Sequence, residues 1–250
     1  MAAFATGEEV WIERLGNLRN AVRQEVIRRQ LADHARAGMT VLDIGCGQGT
    51  QAIRLAELGC QVTGLEPSPA LRGLCCTNAQ AAGVQIELVP GTAEQADQVL
   101  FDRKFDLVCA HGLLMYLDDR AAAIASLARR VAPDGKLSIT FRNGHALAMR
   151  HGLRRDWVGA LEAFDSRNYV NELGVNATAD LVDDIKQDLA EIGMKIQVWY
   201  GVRVFNDAVR AEMNVPADED LAALFDAEDQ AGRRDPYRWM ASQLHVIASA

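Results

Sequence analysis

The chain is short of positive charge, of metal-type cysteine pairs and of long apolar runs. Its 250 residues hold 26 Lys and Arg against 34 Asp and Glu, a net charge of −8. Such a balance argues against affinity built mainly on counterion release from a nucleic acid, although a local basic patch would suffice for contact. The five cysteines, at 46, 60, 75, 76 and 109, contain no C-x-x-C pair, no zinc spacing and no even-numbered disulfide framework. They read as reduced, mostly buried thiols of a cytoplasmic protein without a metal. No apolar run approaches the roughly 20 residues of a membrane-spanning helix. The opening MAAFATGEEVWIERLG has early acids where a signal peptide would have an apolar core. The expectation is a soluble cytoplasmic protein, monomer or homodimer, with neither membrane nor metal as partner.

What remains is globular material, 49% hydrophobic and 24% charged, and long enough for one large α/β domain with a cap. From residue 38 short apolar runs alternate with helical patterns. MTVLDIG is a strand, followed by a helix with apolar Ala52, Ile53, Leu55, Ala56 and Leu58 that Gly59 closes. CQVTGLEP, IELVPG, FDLVCAHG and KLSITFRN read as further strands, with PALRGLCCTNAQAAG and DRAAAIASLARRVAPDG as intervening helices. Strands alternating with single helices imply a doubly wound α/β fold with a mostly parallel sheet. The expected organisation is an N-terminal helical arm (1–37), the alternating core (38–145), a helical cap (146–192), and a last pair of strands, IQVWYGVRVF and QLHVIASA, around a helical insertion (193–250).

Ligands of such sheets bind at the carboxyl ends of the strands, and the informative residues lie there. The first strand runs into G-C-G-Q-G, with Gly45, Gly47 and Gly49 spaced G-x-G-x-G; no G-K-[ST] follows, which excludes a P-loop and weakens a dinucleotide reading. Asp43 lies two residues before the turn, where an anion would repel a pyrophosphate but suit an ammonium or sulfonium. Glu66 ends the second strand, placed to accept from a ribose diol, and Pro67 and Ser68 open the next helix. After the third strand, GTAEQ puts Ala93 and Glu94 where an adenine edge would sit. S-adenosylmethionine fits that description of an adenosine ligand that lacks phosphates and carries positive charge.

VLDIGCGQGT, GLEPS, GTAEQ and FDLVCAHGLLMYLDD, within residues 38–145, together resemble the successive motifs of class I S-adenosylmethionine-dependent methyltransferases. The resemblance implies a Rossmann-like core, with Asp43, Gly45, Cys46, Gly47 and Glu66 around the cofactor, Ala93 and Glu94 at adenine, and His111 beside the methionine end. Shorter matches, LRNAVR, FRNGHALAM, GVRVFND, DPYR and QLHVIA, look like bacterial tRNA carboxymethoxyuridine carboxyl methyltransferases. That likeness implies a carboxylate acceptor, with Arg19 and Arg203 as contacts to cofactor and substrate carboxylates.

Arg203 also stands out by itself, because it interrupts the apolar run VWYGVRVF. A buried arginine needs an anion, and either a structural acid or a substrate carboxylate would serve. Tyr116, Asn143, His145, Tyr169, Tyr237 and His245 are candidates to line the acceptor pocket, each with packing as the competing explanation. Arg14, Arg23, Arg28 and Arg29 share the first helix with Arg19 and read as a solvated face. Arg154 and Arg155 beside Trp157 would suit a nucleic-acid backbone and base. The cap segment EAFDSRNYVNELGVNATADLVDDI is acidic and nearly without lysine, which keeps a small-molecule O-methyltransferase open beside a tRNA enzyme. A carboxylate acceptor needs no general base, and Arg203 would orient it; a hydroxyl acceptor would need one, from His111 or His145. An NAD-type oxidoreductase and a non-catalytic adenosine-binding protein are the readings outside the class.

Overall fold

The computed structural model describes residues 16–171, 173–208 and 218–250. Arg14, with the rest of residues 1–15 of the expected arm, lies outside them. Seven strands form one sheet in the order β3-β2-β1-β4-β5-β9-β8. They are β1 (Thr40–Ile44), β2 (Gln61–Glu66), β3 (Ile86–Pro90), β4 (Phe105–His111), β5 (Val131–Arg142), β8 (Lys195–Val202) and β9 (Gln243–Ser249). β1 pairs in parallel with β2 and β4, β2 with β3, and β4 with β5, so the chain reverses direction of travel across the sheet at β1 and β4. The expected doubly wound fold is what forms.

The helices are α1 (Leu18–Ala32), α2 (Thr50–Glu57), α3 (Pro69–Ala81), α4 (Ala96–Leu100), α5 (Arg120–Ala128), α6 (Leu147–Leu153), α7 (Trp157–Asp165), α8 (Val182–Glu191) and α9 (Asp218–Gly232). Two compact units emerge from the packing. The first holds Leu31–Thr140, Lys186–Val198 and Val246–Ala250; the second holds Met1–Gln30, Phe141–Ile185 and Trp199–His245.

In the first unit the apolar runs become central strands because they are covered on both faces. Val41, Leu42, Leu65, Leu107 and Val108 are fully buried, each contributing roughly 2 kcal/mol of transfer free energy. α3 starts as its sequence signals: Ser68 Oγ accepts from Leu71 N at 3.2 Å, with Pro69 in the first turn. One expectation is corrected at α5, which stops at Ala128 instead of running to Gly135. Phe105 pairs with Val131 but Leu107 with Lys136, so the extra residues Ala132–Gly135 bulge from β5 and turn at Asp134 (φ 63°).

In the second unit the cap is not wholly helical. β6 (Asn168–Val170) and β7 (Asn176–Thr178) form a two-stranded antiparallel hairpin between α7 and α8. Asn171 Oδ1 accepts from Leu173 N and Val175 N, and Gly174 takes φ 74°. This side-chain-stabilised turn competes with helix, for which three-residue strands leave no visible period. Gln30 ties α1 to its neighbours there: its Nε2 donates to Gly201 O at 3.0 Å, and its Oε1 lies 2.7 Å from His245 Nδ1.

The third glycine of the opening motif has a packing reason. Gly49 is the N-cap of α2 at φ 87°, and a Cβ there would lie 2.4 Å from Cys75 Sγ. Gly38 has the same φ but open space around it. Gly49→Ala should therefore lower stability by about 3 kcal/mol in urea unfolding and Gly38→Ala by only about 1 kcal/mol; equal losses would remove the packing explanation.

Candidate functional site

The first unit gathers the glycine loop and two acids at the carboxyl ends of β1 and β2. Gly45 and Gly47 adopt φ 72° and 57°, so the loop turns in a conformation open to glycine. Its amides are already engaged: Gly45 N donates to Leu65 O at 2.7 Å, Cys46 N to the same oxygen at 3.4 Å, and Gly47 N to Glu66 Oε2 at 3.0 Å. A phosphate would find neither free donors in those three residues nor a favourable field. The other oxygen, Glu66 Oε1, accepts from Ser68 N at 2.9 Å, so one buried carboxylate clamps both loops. A carboxylate can accept up to four hydrogen bonds, a capacity that suits a diol as partner. Arg72, which the sequence pattern did not single out, braces this turn by donating to Glu66 O at 2.7 Å and Pro67 O at 2.8 Å.

Asp43 is buried and pairs with no cation among the described residues. Burial first, and then the Glu66 charge, raise its pKa to about 7. It does not cap α2, whose N-cap is Gly49. A buried acid that lacks a counter-charge matches a cationic ligand group, and the loop and diol acceptor match the rest of an aminoacid nucleoside. Cys46, between the two glycines, is buried. Its thiol packs 2.7 Å from where a Cβ of Gly64 would be, and the neighbouring Cys75 thiol and burial raise its pKa.

The remaining candidates of this unit separate. Ala93 and Glu94 form a 3-10 turn capped reciprocally by Thr92 and Gln95, and Glu94 is exposed. His111 ends β4 with Nε2 2.9 Å from Ser138 Oγ, and Tyr116 is half-buried in the 3-10 turn after it.

The second unit holds a buried charge cluster. Asp207 is flanked by Arg150 (2.8 Å), Arg203 (3.3 Å), Arg142 (3.4 Å) and Arg19 (3.9 Å). Arg150 bonds both carboxylate oxygens. Burial pushes the Asp207 carboxyl up, but Arg203, Arg142 and Arg150 outweigh it and hold it well below the usual range. Burial and the neighbouring arginines lower Arg203 to about 9 against the pull of Asp207. Arg203 takes a left-handed φ of 61° and donates from Nε to Ser242 Oγ at 3.1 Å. The structural acid that Arg203 needed is thus Asp207, four residues on in GVRVFND, and the sequence spacing held that signal. Arg142 and Arg150, in TFRN and AMRH, had no comparable mark.

Two candidates turn out to be structural. Asn143 is fully buried, donates to Trp239 O (2.9 Å) and Ala241 O (2.8 Å), and accepts from His145 N (3.1 Å), leaving no donor for a substrate. His245 is fully buried against Gln30. His145 and Tyr237 are exposed, beside Trp239 and Phe205 respectively, and Tyr169 lies under the Arg142 guanidinium at 5.8 Å. Arg23, Arg28 and Arg29 are tied along α1, Arg28 and Arg29 to Glu25.

Residues 42–139 match the family model of the methyltransferase domain. The chain is an S-adenosylmethionine-dependent methyltransferase. That match sets aside the oxidoreductase and non-catalytic alternatives. The methyltransferase is 28% identical over 235 residues to the tRNA 5-carboxymethoxyuridine methyltransferase of Escherichia coli K12, covering 93% of this chain and 88% of that one. It is 35% identical over 122 residues to a ubiquinone biosynthesis O-methyltransferase of Methylobacterium, covering 49% and 48%. In fold it is similar to the magnesium protoporphyrin IX methyltransferase of Synechocystis, solved with bound S-adenosylhomocysteine, with a TM-score of 0.64 at 20% identity over 97% and 94% of the two chains. Among the described residues no cluster of His, Cys, Asp or Glu is arranged to hold a metal, and no helix is long and apolar enough to cross a membrane.

The Asp43 shift has a stability consequence. Its pKa is about 7 folded and near 3.8 unfolded, so the folded state loses ground as pH rises from about 4 to 7 and no further above. Asp43→Asn removes that loss. The variant should match the wild type near pH 4 and exceed it at pH 8 by about 4 kcal/mol in urea unfolding. A pH-independent difference would reject the buried-acid assignment.

Proposed function

We propose that the enzyme transfers the methyl group to an oxygen of an acceptor that carries a carboxylate, and that this carboxylate is itself the methyl-accepting group. The observation behind the reading is the cluster around Asp207, where four guanidinium groups face one carboxylate at 2.8–3.9 Å. Buried positive charge in excess of its partner favours an anionic guest. The E. coli relative, named for a carboxymethoxyuridine of tRNA, supports an acidic acceptor. A carboxylate-bearing metabolite has the same chemistry and suits the acidic composition of the chain.

S-adenosylmethionine, when bound, supplies an electrophilic methyl on a positively charged sulfur. In this reading Asp43 is the counter-charge to the cofactor's cationic end, Gly45, Cys46 and Gly47 shape its bed with their backbone, and Glu66, next to Pro67, accepts from its ribose. Ala93 and Glu94 face its adenine, and His111 stays beside the reacting end as a hydrogen-bonding group fixed by Ser138. Arg203 orients the acceptor carboxylate, with Tyr169 and Tyr237 as walls of the acceptor region. An ionised carboxylate attacks without a base, so the contribution of the protein is alignment and exclusion of water. The ubiquinone O-methyltransferase relatives favour a second reading, a hydroxyl acceptor, for which His111 or His145 would take the proton.

Methyl-labelled cofactor, incubated with enzyme and either total tRNA or a small-acid extract, separates these readings. A carboxylate acceptor gives a methyl ester that mild alkali cleaves; an alkali-stable methyl product would overturn the carboxylate reading, and resistance to nuclease would exclude tRNA. Arg203→Lys, which keeps charge but loses the bidentate fork, should raise the acceptor KM about 10- to 100-fold while S-adenosylhomocysteine affinity holds. Glu66→Ala should weaken S-adenosylhomocysteine binding at least about tenfold in calorimetry, with the melting temperature recorded alongside; unchanged affinity would sink the ribose assignment.

A further inference from the structure

Helix α7 is turned the wrong way round for a protein standing alone. Its small residues Gly159, Ala160 and Ala163 are the half-buried ones, and it packs on α6. Its large apolar residues Trp157, Val158, Leu161 and Phe164 point outward, joined by Leu153 and Val170, all 63–74% exposed. At 100° per residue the four helical positions share one face about 120° wide, the width of a buried helical stripe. Scattered exposed apolar residues need no explanation, but a contiguous stripe marks an interaction surface.

We propose that this face is the interface of a two-fold homodimer in which α7 packs antiparallel on α7 of a second copy. The charges around the stripe select that occupant. Arg155 precedes the helix and Asp165 ends it, both exposed, and neither makes an ion pair with another described residue. Setting Trp157 against Phe164 of the second copy brings Arg155 to within one residue of the level of the second copy's Asp165, and the two-fold axis makes that pair twice. The antiparallel arrangement also sets each helix N-terminus beside the other's C-terminus. By typical side-chain areas the six apolar residues offer roughly 700 Å² per copy, close to the ~800 Å² per partner of a standard interface. An anionic bilayer is a poorer match, because the stripe is bordered by Asp156, Glu162 and Asp165 in a chain of net charge −8.

Sedimentation equilibrium of the full chain from about 1 to 100 µM should show a reversible monomer–dimer equilibrium. Leu161→Glu, at an exposed position, should raise the dimer dissociation constant at least about 100-fold while the melting temperature stays that of the wild type at concentrations where both are monomeric. Arg155→Glu and Asp165→Arg should each weaken the dimer, and the double exchange should restore it to within about threefold of wild type. A monomer throughout the range overturns the proposal, including one that floats with phosphatidylcholine/phosphatidylglycerol vesicles through this face. So does a dimer indifferent to Leu161→Glu, or a double exchange that restores nothing.

Discussion

The carboxylate of Glu66 is the tie on which the cofactor region depends. It ends β2, yet it accepts one hydrogen bond from the glycine loop after β1 and one from the turn that starts α3. Two adjacent strand ends are thereby fixed to each other by a charged group inside the protein, where such bonds are stronger than in water. The same charge raises the pKa of Asp43. The region consequently holds more negative charge than it neutralises and is preorganised for a cationic guest.

The second unit shows the converse. Around Asp207 the buried charge is predominantly positive, and burial together with the neighbouring arginines lowers the proton affinity of Arg203 and Arg142. Neither arrangement is the cheapest way to stabilise a fold, since apolar residues in these places would avoid the desolvation cost. Such a departure from local consistency is what binding sites require, and it gives physical grounds for reading both regions as sites.

The sequence made the sheet legible because parallel strands covered on both faces appear as continuous apolar runs, and because Gly59 and Gly83 end helices with positive φ (86° and 69°). Asp43 and Glu66 were legible for a related reason: charge at the end of an apolar run cannot be explained by packing. Asn143 and His245 misled because a polar residue near a strand end looks alike whether it faces a ligand or ties two loops, and only the partners at Trp239, Ala241 and Gln30 tell them apart. The β6–β7 hairpin was hidden because its strands are too short to alternate. Arg142 and Arg150 were hidden because a cluster drawn from separate segments of chain has no period at all.

The cysteines have a practical consequence. Four of the five are buried, and Cys76 alone is exposed, one position after the Cys75 that packs beneath Gly49. A maleimide dye or spin label applied to the native chain would therefore attach at one place on α3, the helix whose first turn Glu66 helps to anchor. The wild-type protein carries its own reporter position for the state of the cofactor loop, with no engineering of the other thiols.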